Sequence, residues 1–311
     1  MRHLSIDILK VTAAFFVVFI HLDILRELNT TVSHLLVNGI FRLSVPLFLI
    51  ITGYFFTRIE TGKDFIKWIS RMLILYVVWS IIYLPFWLGK AGVVTTLINI
   101  FNGYYALWYI TGVILAGCLL YLLMGKPAST LIILSMILYI SGTLLQYAAN
   151  LNVFSGIISK VLAFTPSHRN FLFDCLPFMI IGLLIRRAGI SNVKNYGLPI
   201  VASAFALLIA ESYLNLKLFG ADKQLDMMFS LLLISPLLFT YIMKIDILGK
   251  YKHLSSFATA VYLIHPAIIF IGQDYVYDDK LSALRYLFVI GVLVPVSYVL
   301  VKLNSKVKYL L

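Results

Sequence analysis

Apolar runs of about twenty residues recur along the whole of this 311-residue chain, and nothing else in it constrains the fold as strongly. A helix needs about twenty mostly apolar residues to cross a bilayer. It also satisfies its own backbone hydrogen bonds where no water is present to do so. Ten stretches qualify, at 6–25, 37–56, 69–88, 106–124, 128–147, 170–187, 195–213, 226–243, 254–272 and 284–303. A membrane β-barrel is excluded, because its strands alternate apolar and polar residues over about ten positions. Runs such as Ala13-Ala14-Phe15-Phe16-Val17-Val18-Phe19-Ile20 do not alternate. Nor is any stretch polar enough for a soluble catalytic domain. Apolar residues make up 61% and charged residues 12%, against about half and about a quarter in globular chains. The sequence predicts an all-α, polytopic integral membrane protein of about ten transmembrane helices, organised as a single domain over 1–311.

A net charge of +12 would suggest nucleic acid in a soluble chain. In a membrane chain it is tested first against orientation. With the N-terminus placed in the cytoplasm, fifteen Lys and Arg fall inside: Arg2, Lys126, and the groups Arg58–Arg71, Arg186–Lys194, Lys244–Lys252 and Lys302–Lys308. Eight fall outside: Arg26, Lys90, Lys160, Arg169, Lys217, Lys223, Lys280 and Arg285. Asp274, Asp278 and Asp279 share one outer loop. This bias predicts both termini in the cytoplasm and removes nucleic acid as an expected partner. Cys118 and Cys175 lie inside apolar runs, which supports neither a disulfide framework nor a metal site. The first apolar stretch is of spanning length and ends at His21-Leu22-Asp23 with no small-residue cleavage site, so it is expected to stay as a span. Two outer connections, 89–105 and 148–169, are longer than turns and carry Gly, Asn and aromatics. They read either as interfacial or re-entrant pieces over an outer vestibule or as plain surface loops. No internal repeat stands out, which gives no support to a transporter built from inverted repeats.

Two basic residues remain, Lys10 and Arg42, and both lie within predicted spans. A charge there costs at least about 2.5–3.5 kcal/mol on insertion scales. Lys10 and His21 are eleven residues apart on the first span. Eleven residues make almost three turns, so both share one helix face, about 16 Å apart along the axis. A cation below and an imidazole above suit a long anionic donor with its reactive end higher up; the alternative is a snorkelling lysine and an interfacial histidine. Arg42 opens the second span, and Pro46 is expected to free backbone carbonyls one turn before it, near Arg42. Its guanidinium could bind a carboxylate or phosphate, stabilise an oxyanion, or hold helix ends together. His265 precedes Pro266, which predicts a break beside a polar side chain. Asp174 and Glu211 read as structural, partnered by Arg169 or Lys217.

These residues belong to a recognisable set. Lys10 and His21 resemble the Arg/Lys-x10-His signature that opens the acyltransferase 3 family of integral membrane acyltransferases. In the family's order follow Phe41-Arg42-Leu43-Ser44-Val45-Pro46-Leu47-Phe48 with Thr52-Gly53, Leu107-Trp108-Tyr109, Leu176-Pro177-Phe178 with Gly182, and Tyr262-Leu263-Ile264-His265-Pro266. The set spreads over nearly the whole chain. Within that family the chain looks most like the membrane half of vancomycin-resistance-type serine racemases, on Ala106-Leu107-Trp108-Tyr109, Ser167-His168-Arg169-Asn170 and Asp226-Met227-Met228. The pyridoxal-phosphate racemase domain of those proteins has no counterpart in this sequence.

The resemblance implies transfer of an acyl group, usually acetyl, from cytoplasmic acyl-CoA to an outer acceptor. The implied acceptor is a hydroxyl of cell-wall or surface carbohydrate, or a small molecule. His21 matches the position regarded as catalytic, Lys10 its basic partner and Arg42 the second motif arginine. Lys10, Lys67 and Arg71 are implied at the CoA phosphates, and His265, Trp108 and Tyr109 at the substrate. Lys10 stands where Arg is commoner, Ala106 where His is frequent, and Trp68 replaces the first Arg of an Arg-x-x-Arg pair that ends at Arg71. No metal is expected, and the expected location is a bacterial cytoplasmic membrane, with the oligomeric state, homo-oligomer included, left open. The alternative is a transporter of a small amino acid such as serine, or a membrane partner of a separate enzyme, with Arg42 binding a carboxylate and His21 coupling a proton.

Overall fold

The computed structural model describes residues 4–90, 92–194, 196–223, 225–245, 247, 249, 251, 253–275, 282–307 and 309–311, without the side chains of 273–275, 282 and 283. Arg2, Lys250, Lys252, Lys280, Lys308, Asp278, Asp279 and the side chain of Asp274, all used in the orientation argument, lie outside the described residues. The described residues form α-helices with short 3-10 and π segments and no strand. In chain order the helices are α1 (Leu4–Leu22), α2 (Thr30–Val37), α3 (Ser44–Phe56), α4 (Gly62–Trp87), α5 (Val93–Phe101), α6 (Trp108–Leu123) and α7 (Ala128–Asn150). They continue with α8 (Gly156–Ala163), α9 (Leu176–Ala188), α10 (Gly197–Phe219), α11 (Phe229–Met243), α12 (Leu254–Tyr275) and α13 (Ser282–Asn304).

Eight helical segments among the described residues are long and apolar enough to cross a membrane: α1, Thr30–Phe56, α4, Tyr105–Leu123, α7, α10, Leu254–Gly272 and Leu284–Asn304. The other two expected spans are shorter, with 13 residues in α9 and 15 in α11. The shortening has local causes. Residues 226–228 are extended rather than helical because side chains of α7 take their backbone groups. Gln146 Oε1 accepts from the Asp226 and Met227 N–H groups at 2.9 and 3.1 Å, and Gln146 Nε2 donates to the Met227 carbonyl at 2.7 Å. The Tyr139 hydroxyl donates to the Met228 carbonyl at 2.9 Å. Irregular backbone at this depth survives only when the protein supplies such partners. Glu211 then receives the first N–H groups of α11, Phe229 and Ser230, both at 2.8 Å, and the Tyr147 hydroxyl at 3.0 Å. Its role is structural, as expected, but its partners are these and not Lys217, which lies over the Tyr213 ring.

The densest contact is α3 against α9. Glycines set the approach: a Cβ on Gly53 would run into the Met179 carbonyl, and one on Gly182 into the Ile50 carbonyl. Helices in a membrane associate through such close backbone packing rather than through a hydrophobic drive. The motif fragments Thr52-Gly53 and Leu176–Gly182 therefore meet face to face. A second group packs α1 along α12 and α12 along α13. The outer faces are apolar and exposed, as Leu73, Val77 and Ile81 on α4, Ile133 and Ile137 on α7, and Leu287 and Val299 on α13 illustrate. Contiguous apolar surface of this extent suits lipid, not water. The long connections hold short helices. In α5, Val93, Val94, Leu97 and Phe101 are exposed, and in α8 so are Ile157, Ile158 and Val161, a pattern that fits interfacial pieces better than plain loops.

Candidate functional site

The lower half of α1 carries Lys10 and its upper end His21, and each lines a different cavity. At the His21 end a small chamber of about 50 Å³ is walled by His21, Arg42, Trp108, Arg169, Asp174, Asp226 and Tyr262, with Ser44 and Ala106 beside them. Arg42 comes from a 3-10 turn, Ile40–Leu43, that precedes α3. Pro46 lies in the first turn of α3, where its missing N–H leaves no hydrogen bond broken. The expected interruption beside Arg42 is thus a change of helix type. Arg42 is 8% exposed and forms an ion pair with Asp226, while its Nη2 donates to Asn38 Oδ1 at 2.8 Å.

Asp226 has a second partner. Arg169 Nη1 reaches it at 2.9 Å, and the same guanidinium lies over the Trp108 ring, 4.5 Å from its centroid. Arg169 pairs with Asp226 rather than with Asp174, which corrects the expected pairing. Asp174 sits in a π-helical turn, Phe171–Cys175, opened by Asn170, whose Oδ1 accepts from the Leu172 and Phe173 N–H groups at 2.9 and 3.0 Å. Such turns often mark functional sites. This one delivers the Asp174 carboxyl to the chamber wall and departs from the purely structural reading of that residue. Beside Arg169, burial draws the His168 imidazole below its ordinary pKa.

His21 is flanked by two rings, Tyr105 at 4.6 Å and His265 at 5.3 Å between centroids. Tyr105 has φ +50°, a left-handed conformation uncommon for an aromatic residue. His265 does not stand at a helix break, because α12 runs through Pro266 to Tyr275. Pro266 lacks the N–H that would reach the Tyr262 carbonyl one turn back. His265 Nδ1 takes its place, 2.6 Å from that carbonyl. The helix is repaired by the side chain next to the proline.

At the Lys10 end lies a cavity of about 680 Å³. Lys10, Arg58, Lys67 and Arg71 line it against one acidic residue, Asp64, and its other walls include Phe48, Phe55, Trp68, Met72, Tyr109 and Val113. Asp64 also closes a capping box with Thr61 at the start of α4. Lys10 Nζ donates to Ser255 Oγ at 2.9 Å, and Arg71 Nη2 donates to the Leu311 carbonyl oxygen at 3.4 Å. Trp68, in the place of an arginine, fills the wall where Gly117 leaves room. The candidate residues therefore divide: His21, Arg42 and Trp108 at the chamber, Lys10, Lys67, Arg71 and Tyr109 at the cavity, and His265 behind His21.

The family model described as an acyltransferase domain matches residues 3–302. The chain belongs to the acyltransferase 3 family. It is thereby a multi-pass membrane protein of an acyltransferase family. A serine/alanine racemase of Enterococcus gallinarum is 26% identical over 312 aligned positions, which cover 92% of this chain and 43% of the racemase. An amino-acid racemase of Enterococcus faecalis is 22% identical over 334 positions, covering 99% of this chain and 47% of that protein. The chain spans less than half the length of these relatives. No solved structure matches it.

In this acyltransferase 3 chain the sequence reading missed the ion-paired half of the chamber. In the sequence Asp226 is only part of a resembling fragment, and Arg169 is a loop charge, a resembling fragment and an expected partner of Asp174. A signal existed: a second arginine and an aspartate flank predicted spans at the same outer depth as Arg42. Only the fold brings residues 42, 169 and 226 together.

Proposed function

We propose that this protein is an O-acyltransferase that takes an acyl group, acetyl in the simplest case, from cytoplasmic acyl-CoA to a hydroxyl acceptor on the outer side. The observation that carries the reading is that Lys10 and His21, on one face of α1, line two cavities of opposite character that meet at Tyr262. The large cavity, basic at its rim and apolar in its walls, suits an anionic carrier with an uncharged acyl end. Lys10, Lys67 and Arg71 would bind its phosphates. The chamber suits the reacting hydroxyl. An imidazole nitrogen of His21 accepts the acceptor's hydroxyl proton as its oxygen attacks the thioester carbon. The C–S bond then breaks, and the proton passes from His21 to the leaving thiolate. Arg42 and Arg169 share a single carboxylate in Asp226, so this trio keeps one net positive charge beside the developing oxyanion. The excess of Lys and Arg at the Lys10 end supports a cytoplasmic face there, with both termini on that side. The acceptor expected from the family likeness is extracytoplasmic carbohydrate of the cell wall or surface, or a small hydroxyl compound.

The test uses purified protein in vesicles, labelled acetyl-CoA on one side and candidate acceptors on the other. Label on the acceptor with matching thiol release is the expected result; none with any acceptor would sink the reading. A second reading, handling of a small amino acid such as serine, is favoured by the racemase names of the relatives. The chamber also sets guanidinium groups and the Asp174 carboxyl side by side, as a zwitterion requires. Uptake of labelled serine without thioester consumption would select it.

A further inference from the structure

We infer that Tyr262 is the partition between the two cavities, and that it couples thioester consumption to the presence of an acceptor. This rests on the acyl-transfer reading for its chemistry but not for its geometry. Among the described residues, Tyr262 is the one that lines both spaces. It is 9% exposed, so its ring fills the place where they would otherwise join. On the chamber side its hydroxyl donates to the Ala106 carbonyl. On the cavity side its ring meets Tyr109 and Phe48 edge-on, at centroid distances of 5.6 and 6.1 Å.

Both ends of this arrangement are tied to His21. The Ala106 carbonyl is presented by the turn in which Tyr105 takes its left-handed conformation, and the Tyr105 ring lies against His21. The Tyr262 carbonyl holds the His265 ring, which also lies against His21. The chamber, about 50 Å³, is small beside the cavity of about 680 Å³, so the long donor with its thioester fits the cavity and the acceptor's hydroxyl the chamber. The thioester must pass the Tyr262 ring to be attacked. With the phenol bonded to Ala106 the passage is shut, and water in the chamber is kept from the thioester. An acceptor that displaces the Tyr105–Ala106 turn releases the phenol and opens the passage. Tyr262 is therefore a positioning residue. Its loss exposes the chain to a wasteful reaction in which water attacks the thioester carbon, the C–S bond breaks, and free acid and thiol leave.

Two measurements test this on the reconstituted full chain. Thiol release from acetyl-CoA is followed without acceptor in wild type, Tyr262→Phe and Tyr262→Ala. Loss of one buried hydrogen bond shifts an open–closed equilibrium by about tenfold, so Tyr262→Phe is expected to raise acceptor-independent release by up to about that factor. Tyr262→Ala should raise it further while acceptor-dependent transfer falls. Independently, Ser44→Cys places a thiol on the chamber wall. Its modification by 2-sulfonatoethyl methanethiosulfonate, added from the Lys10 side, is compared with and without each Tyr262 substitution. Chains bearing only Cys118 and Cys175 give the background. Labelling is expected to accelerate in both variants, more in Tyr262→Ala. Should Tyr262→Ala not fold, Tyr262→Phe retains the ring and decides alone. An unchanged labelling rate in a monodisperse variant overturns the partition. Faster labelling with thiol release still strictly dependent on acceptor overturns the coupling role. If labelling accelerates but wild type releases no thiol with any acceptor, the partition stands and the acyl-transfer reading falls.

Discussion

The chamber at His21 and the cavity at Lys10 sit on one helix and balance their charges in opposite ways. In the chamber the groups satisfy one another: Asp226 takes both Arg42 and Arg169, and Asn38 takes the other arm of Arg42. Among the described residues the cavity has four basic residues and a single acidic one, Asp64, which also caps α4. A buried charge is tolerated when it is paired and costs heavily when one partner goes, so the chamber's charges fix a geometry. The cavity instead gathers basic side chains above apolar walls. On the acyl-transfer proposal, the first places the reacting groups and the second captures the donor.

Substitutions can break or sharpen this contrast. The largest effect is expected from His21→Ala, which should lower acyl transfer at least by the roughly 10²–10⁴-fold that general-base help is worth, with folding and membrane insertion retained; residual full activity would remove His21 from the mechanism. Next comes Asp226→Asn. It strands two guanidiniums, and breaking a buried pair costs about 3–5 kcal/mol, so the thermal midpoint in detergent should fall sharply. An unchanged midpoint would mean that the chamber's pairing is ornamental. In the cavity, Lys67→Ala and Arg71→Ala should each raise KM for acetyl-CoA by about tenfold, the worth of a charge-assisted contact, with kcat little altered. Added salt should weaken donor binding in wild type and less so in these variants, since exposed charges are screened over about 10 Å at 0.1 M. Gly182 packs against α3, whose residues line both cavities. Gly182→Ala should push α9 from α3 and cost about 1–3 kcal/mol, as overpacking does, lowering the thermal midpoint without selecting one cavity over the other.

Much of this was legible in the residues. Lys10 and His21 share a face because eleven residues close three turns, and the structure keeps them on one unbroken α1. The spans were legible where apolar runs are long. They were least so at 170–187 and 226–243, where the π turn after Asn170 and the side chains of Gln146 and Tyr139 replace helical backbone bonds. Pro266 misled for a related reason. A proline removes one N–H, and whether the helix breaks depends on what else reaches the orphaned carbonyl; here His265 does.

The sequence by itself determined that this chain is an all-helical membrane protein with ionisable residues at two depths of its first span. That follows from local physics, because hydropathy and helical pitch act between neighbours. Only the tertiary structure decided that Arg42 pairs with Asp226, that Arg169 joins them, and that Tyr262 lines both cavities. Those outcomes depend on which helices pack together, and the glycines of α3 and α9 set that by letting two backbones touch at residues 53 and 182.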